Sequence, residues 1–387
     1  MLSYNKLNAN WRCKFMTLVS ELTTPSFLVD MDKLEQNIKE MGEVCKACGK
    51  QLWPMLKTHK STSIAKMQNC YGAAGFLVGT IDEADKLVNM GYKEIMLAYP
   101  IADNGNIDRI IQLSNKAHFY LSFDGFEAAA LWERKLCSEN LTMDYLMIVD
   151  CGLHRFGVAP ERAVGLAKQL DGYKHLCLKG ISTHPGQVYG ASCVEEVEKV
   201  GKEELEALTR AKTLLANAGY QVMITATGST PTAKIEAQDK MITALRPGNY
   251  VFYDAIQVAL GVVPEERCAL TVLTTVISHP KPDLYIIDAG SKCFGLDKGA
   301  HGISLTKGFG IIKGYPELVV ESLSEEVGKI KVEKETELKV GDKIEVIPNH
   351  ACASANMTSF LIGHRNGIVE KVISIDARGG SSIPILK

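Results

Sequence analysis

The chain has 387 residues, and 43 Lys and Arg against 45 Asp and Glu leave a formal net charge of −2. So slight an imbalance offers no broad basic field for nucleic acid and no acidic tail. Hydrophobic residues make up 46% and charged residues 23%, which is ordinary for a soluble globular protein, and the length suits two domains or one large barrel with an accessory module.

The N-terminal stretch "MLSYNKLNANWRCKFMTLVS" carries Lys6, Arg12 and Lys14 but no sustained apolar core, so it is a poor secretory signal. It reads as an upstream extension or as a segment that packs on another domain. No apolar run approaches the length of a membrane span. The 11 cysteines are odd in number and scattered through apolar settings, which points to reduced thiols and a cytoplasmic home. "CKAC" at Cys45–Cys48 has CxxC spacing, but a zinc ribbon needs a second such pair and none is present.

From Leu52 to about Leu260 one rhythm repeats: a short apolar run, then a helical pattern. The runs are "LWPML" (52–56), "GFLVG" (75–79), "EIMLAY" (94–99), "HFYLSF" (118–123), "DYLMIVD" (144–150), "LKGISTH" (178–184), "VMITATG" (222–228) and "ALRPGNY" (244–250). Between them, "STSIAKMQNC" opens on a serine cap. "TIDEADKLVNMG" opens on Thr80 and stops at Gly91, and the longest helical stretch stops at Gly219. Strands apolar on both faces belong to a parallel sheet. Eight of them separated by helices predict a (β/α)8 barrel of the TIM type. An open doubly wound sheet would carry a glycine fingerprint after its first strand, and "MLKTHKS" is not one.

After about Val262 the rhythm changes. "CALTVLTTVISH", "LYIIDAG", "KIEVIPNH" and "GIVEKVISIDARG" read as strands with few helices between them, and "KETELKVGDKIEVIP" reads as two strands around a "VGD" turn. The expected organisation is therefore α/β: a barrel over 24–262 and a mostly antiparallel β domain over 263–387, with residues 1–23 associating with the latter.

In such a barrel, reactive side chains gather at the C-terminal strand ends. Lys57 follows the first strand, and a lysine leaving an apolar strand is expected to be partly desolvated, which lowers its pKa and frees the amine for Schiff-base chemistry. A lysine snorkelling at the rim is the plainer alternative. "TGSTPT" and "RPGNYVFYD" close strands 7 and 8, where this fold recurrently binds phosphate. Glycine turns let the backbone approach an anion, and Ser229 and Thr230 add hydroxyls. An amine at strand 1 facing a phosphate cradle at strands 7 and 8 is what pyridoxal phosphate requires. Arg155, in "VDCGLHRFGV", is placed to tune the cofactor ring or to pair with Asp150. His350 and Cys352 in "IPNHACASANM" stand two apart, so on an extended segment both face one ion, although a packed cysteine beside a polar histidine has the same spacing.

"MLKTHKS", "VDCGLHRFGV", "HPGQVY", "TGSTPT", "LRPGNYVFYD", "IDAGSKCFGLD" and "IPNHACASANM", in that order, resemble the fold-type III pyridoxal-phosphate enzymes. The likeness spans about Thr24 to Arg378 and is strongest to the metal-assisted D-serine dehydratases and D-threonine aldolases. The resemblance implies an alanine racemase-like barrel with a β domain, and a homodimer with shared active sites. It matches Lys57 to the Schiff-base lysine, and Arg155 and Tyr189 to cofactor neighbours. It matches Gly228, Ser229, Thr230, Gly248 and Asn249 to phosphate binders, with Tyr250 beside them, and His350 and Cys352 to the ligands of a divalent metal, zinc ahead of manganese. A histidine-x-cysteine pair leans toward the dehydratases, and histidine-x-aspartate toward the aldolases. The implied activity is a lyase acting on a D-β-hydroxy amino acid, by β-elimination to a keto acid and ammonia. Retro-aldol cleavage to glycine and an aldehyde is the alternative, and an amino-acid racemase a more distant one.

Overall fold

The computed structural model describes residues 17–299 and 304–379. Residues 1–16, most of the N-terminal segment expected to join the β domain, lie outside the described residues. The first strand, β1 (Ser26–Asp30), runs into α1 (Met31–Ala47), capped by the Asp30 carboxylate, which accepts from the amides of Asp32 and Lys33 at 3.0 and 3.2 Å. The alternation then begins: β2 (Gln51–Leu52), α2 (Thr62–Cys70), β3 (Phe76–Val78), α3 (Ile81–Asn89), β4 (Glu94–Leu97), α4 (Asn104–Ser114), β5 (His118–Phe123), α5 (Phe126–Glu139) and β6 (Met143–Ile148). It continues through α6 (Ala163–Leu170), β7 (Leu176–Ser182), α7 (Val194–Asn217), β8 (Ile224–Thr227), α8 (Ala233–Glu236), β9 (Ala244–Leu245) and α9 (Ala255–Ala259).

Each of the eight apolar runs therefore overlaps a strand, the first only at Leu52, and β2 to β9 form one parallel sheet in the order β2-β9-β8-β7-β6-β5-β4-β3. Parallel bridges Leu52↔Ala73 and Met55↔Leu77 join its two edges and close the barrel. The strands are apolar on both faces because each face is buried. Leu77, Met96 and Leu146 point inward with Trp53, Met55, Ala226 and Ala244 to fill the barrel. Their neighbours Phe76, Ile95, Tyr145 and Met147 point outward to the helices. The two sets alternate along each strand with the period of two that the pleat imposes.

The remaining strands are β10 (Leu270–Lys281), β11 (Leu284–Ile287), β12 (Ile311–Ile312), β13 (Leu318–Leu323), β14 (Gly328–Val332), β15 (Lys343–Ile347), β16 (Phe360–Arg365) and β17 (Ile368–Ser374), with short helices α10 (Ser291–Phe294) and α11 (Ala351–Ala355) between them. Nine strands make this sheet, in the order β13-β14-β11-β10-β1-β16-β17, with β15 on β10 and β12 on β15. Only β1 and β16 pair in parallel. β1 thus precedes the barrel in sequence but lies in the mixed sheet, and Leu18 also bridges to Ile368 there. The two layers meet at backbone bonds: the amides of Ala255 and Ile256 donate to the carbonyls of Pro348 and Asn349 at 3.1 and 3.2 Å.

Two local expectations fail. The Ser61 side chain makes no cap bond to α2; Asp376 caps it from the mixed-sheet side, accepting from the amide and hydroxyl of Thr62 at 2.9 and 2.6 Å. A distant carboxylate has displaced the local hydroxyl. The "VGD" turn forms no hairpin either: residues 335–340 are not a strand, and the turn instead bonds β10 through Gly341 N to Val276 O at 2.8 Å.

The turn after β2 is fixed from behind by His59, which is fully buried. Its Nδ1 accepts from the amide of Ser61 at 3.1 Å, so Nε2 carries the proton and donates to Gln68 Oε1 at 3.1 Å. Gln68 Nε2 in turn donates to the Tyr250 hydroxyl at 2.9 Å, linking the first and last turns of the barrel. Burial drives the His59 pKa down to about 4, against smaller opposing effects from these bonds. The unfolded chain therefore binds this proton before the folded one does. The associated stability is complete above the ordinary histidine pKa and is lost as pH falls toward 4, by on the order of 3 kcal/mol. Denaturant unfolding between pH 7 and 4 checks this: the decline is expected to be steeper for the native chain than for His59→Gln.

Candidate active site

The C-terminal ends of the barrel strands open into a cavity of about 230 Å³. Lys57, Arg155, Tyr189, Gly228, Ser229, Thr230, Gly248, Asn249, His350 and Cys352 all line it, although they come from both halves of the chain. Tyr250 does not; its ring is buried behind the mouth, and only its backbone faces the cradle, where its amide donates to Thr230 Oγ1 at 3.1 Å.

Lys57 corrects one expectation. β2 ends at Leu52, and Lys57 falls on a single 3-10 turn (Leu56–Thr58) that buries Leu56 and Thr58 and leaves the lysine exposed at the rim. The barrel therefore does not bury this side chain. The turn aims it across the mouth, with its carbonyl held by Asn356 Nδ2 at 3.1 Å.

Opposite lies a cradle of main-chain donors. Among the described residues, the amides of Gly228, Ser229, Thr230, Gly248 and Asn249 have no protein acceptor. Gly228 has φ +136°, and a Cβ there would meet Arg246 N at 2.9 Å; a Cβ on Gly248 would meet Thr58 Oγ1 at 2.8 Å. Only glycine lets the two turns approach so closely. Arg246 Nε and Asn249 Oδ1, on the same wall, are buried polar atoms without a protein partner. Unclaimed amides, hydroxyls and a buried guanidinium are the chemistry of a phosphate site, so these residues fit the phosphoryl group of pyridoxal phosphate. Burial pulls Arg246 down to about 10, and the buried Glu204 and Glu236 behind the cradle oppose this. Thr227 Oγ1 donates to Glu204, whose pKa burial and the Glu236 charge push well up.

Arg155 sits on the rim with its guanidinium 4.4 Å from the Phe156 ring centroid. The pairing with Asp150 is absent, because Asp150 accepts from His154 Nδ1 at 2.7 Å and from two amides. Gln187 turns from the mouth to donate to Cys151 O at 2.8 Å. Burial raises the Tyr189 phenol, keeping it neutral.

His350 and Cys352 do not lie on an extended segment. His350 is the N-cap residue of α11 and Cys352 sits in its first turn, which still turns both inward. His350 Nδ1 lies 3.0 Å from Asp297 Oδ2, an arrangement that leaves Nε2 for an ion. Cys352 Sγ is 3.2 Å from Thr58 Oγ1 and 3.8 Å from Asn249 Nδ2. Burial works against charging either residue. The two outweigh it by facing each other: His350 is held well above its ordinary pKa by Cys352 and Asp297, and Cys352 below its own by His350, Lys57 and Thr58. Once an ion displaces the imidazolium proton, thiolate and imidazole form a soft two-donor set with open positions, which fits a zinc-like ion. Among the described residues no group of three or more His, Cys, Asp or Glu could hold a metal.

Sequence reasoning assigned no role to His184, Arg246, Asp254 and Asp297. His184 follows β7 by two residues and lines the cavity, with Nδ1 3.2 Å from Gly228 O; burial and the nearby Lys57 charge hold it well below its ordinary pKa. Asp297 closes "FGLD" and Asp254 closes "NYVFYD", both inside stretches already singled out, but nothing local marks what they contact.

Residues 29–255 match the family model for the alanine racemase N-terminal domain, and residues 269–363 that for a putative serine dehydratase domain. The chain is 28% identical over 370 residues to 3-hydroxy-D-aspartate aldolase of Paracoccus denitrificans (strain Pd 1222), covering 93% of each. It is 28% identical over 380 residues to D-serine dehydratase of Dictyostelium discoideum, covering 91% of this chain and 96% of that one. Among solved structures, a cysteine-to-alanine mutant of D-threo-3-hydroxyaspartate dehydratase in the metal-free form is 26% identical. It superposes with a TM-score of 0.86, covering 95% of this chain and all of that one.

Because Gly228 needs its positive φ and its clearance from Arg246, Gly228→Ala is expected to destabilise the fold by roughly 1–3 kcal/mol. It should also weaken retention of pyridoxal phosphate, which chemical denaturation and cofactor titration of the same variant would measure.

Proposed function

The chain belongs to the family defined by the alanine racemase N-terminal domain, and on that footing we propose that it is a pyridoxal-phosphate- and metal-dependent lyase acting on D-β-hydroxy amino acids, of the D-serine dehydratase type. One observation carries the reading: Lys57, the amide cradle and the His350–Cys352 pair open into a single cavity. Lys57 would hold the cofactor's aldehyde end, and the turns at Gly228–Thr230 and Gly248–Asn249 its phosphate.

Bound there, the cofactor supplies an electron sink for a carbanion at the substrate's α-carbon. A divalent metal on His350 and Cys352 supplies a Lewis acid for the β-hydroxyl, and imidazole with thiolate favours zinc. The protein's own groups do the rest. Lys57 Nζ, exposed at the rim and free to swing, takes the α-proton. His184, held neutral, walls the cavity without adding a charge. Asp297 fixes the His350 ring through Nδ1, and Thr58 and Asn249 steady Cys352 Sγ. Loss of the α-proton and the β-hydroxyl leaves an enamine, which water converts to a keto acid and ammonia.

Two further parts of the reading have support. Leu296 is 65% exposed, and Met357, near it, is exposed as well, an apolar surface beside the mouth that suits coverage by a second copy of this chain in a homodimer. The described cysteines are unpaired, which suits a cytoplasmic setting, and no helix of the described residues is long and apolar enough to cross a membrane.

The aldolase outcome keeps one observation in its favour, since the Paracoccus aldolase and the Dictyostelium dehydratase are equally identical to this chain. Incubation with D-serine and D-threonine separates the readings. Keto acid and ammonia are expected; glycine with an aldehyde as the sole products would remove the dehydratase reading. Chelation is expected to abolish turnover while leaving cofactor absorbance in place. Cys352→Ala should do the same, with turnover down at least ~100-fold. Asp297→Asn should instead weaken metal affinity by roughly 10- to 100-fold in a metal titration, with the ligands themselves intact.

A further inference from the structure

A second cavity, of about 520 Å³, adjoins the first. The two share Lys57, His350 and Cys352, but the second lacks the phosphate cradle and instead reaches Lys60, Asn356 and Arg378. The reactive residues therefore stand between the cradle and an outer chamber. A group attached to the carbon that carries the β-hydroxyl, with that hydroxyl at His350 and Cys352, would project into the outer chamber.

The charges of this chamber are mostly engaged. Lys60 pairs with the buried Glu83 at 2.8 Å. Asp297 is held by His350, and Asp376, which does not line the chamber but lies two residues before Arg378, is held by Thr62. The exceptions are Lys57, the amine already assigned to the cofactor, and Arg378. Arg378 Nη1 lies 3.4 Å from Asn356 O and its Nη2 3.2 Å from Ser359 Oγ, both neutral acceptors. Among the described residues it forms no ion pair with a carboxylate. Its tether is not loose, however. Asn356 Nδ2 donates to Cys352 O at 2.7 Å and to Lys57 O at 3.1 Å, so the residue that positions the guanidinium is bonded to the backbone of both reactive residues.

A planar cation with spare donors, aimed into a chamber beside the reacting carbon, is a carboxylate receptor. We propose that Arg378 is a specificity-determining residue that takes a carboxylate on the substrate's β-carbon, so that the outer chamber selects dicarboxylic D-β-hydroxy amino acids over D-serine. This rests on the lyase reading above.

The test measures kcat and KM of the metal-loaded holoenzyme on 3-hydroxy-D-aspartate and D-serine, for the native chain, Arg378→Met and Arg378→Lys. The native chain is expected to prefer the dicarboxylic substrate. Arg378→Met should lower that preference roughly 30- to 100-fold, through KM rather than kcat, and Arg378→Lys should restore part of it. An unchanged ratio in Arg378→Met, or an equal loss on both substrates, overturns the proposal, as does a native chain that prefers D-serine. In each of those results turnover itself persists and the lyase reading stands. A native holoenzyme inactive on both substrates sinks the lyase reading, and this proposal with it.

Discussion

The site depends on one buried carboxylate. Asp254 accepts from Asn249 Nδ2 at 2.6 Å, from the amide of Ala351 at 2.9 Å and from the amide of Gln257 at 3.0 Å. Asn249 belongs to the amide cradle, Ala351 follows His350 at the start of α11, and Gln257 lies in α9, the helix that leaves the barrel. A single side chain thus ties the amide cradle, the His350–Cys352 pair and the junction of the two sheets into one frame. Burial raises its pKa, and its donors together with the His350 charge oppose that rise. Removing it would strand three donors at the junction, where each loss costs about 1–3 kcal/mol.

This frame explains a division of labour at the mouth. Asn249 is buried and Cys352 half-buried, and hydrogen bonds hold both in place. Lys57, by contrast, stands exposed on a short turn whose neighbours Leu56, Thr58 and His59 are all buried. Precision comes from the turn, and freedom from the rim. A lysine on the strand itself would have had the reverse properties, fixed and desolvated.

Most of the architecture was legible because burial on both faces leaves a strong mark. Eight apolar runs at regular spacing gave the barrel, and glycines after the last two strands gave the cradle. What stayed hidden were contacts between residues far apart in sequence. Asp376 replaces Ser61 as a helix cap, and Asp297 orients His350, yet neither partnership has a local signature. Tyr250 was misplaced for a related reason. It shares its turn with Asn249, but on a 3-10 turn consecutive residues point different ways, so one faces the cradle and the other bonds Gln68 behind it. The burial expected of Lys57 failed because β2 ends five residues before it.

The proposed lyase requires the amine of Lys57 to reach a cofactor aldehyde whose phosphate sits across the mouth. Borohydride reduction of the purified holoprotein, followed by peptide mapping by mass spectrometry, tests it most directly. A single pyridoxyl-modified peptide carrying Lys57 is expected. Modification confined to another lysine, or a protein that takes up no pyridoxal phosphate at all, would contradict it.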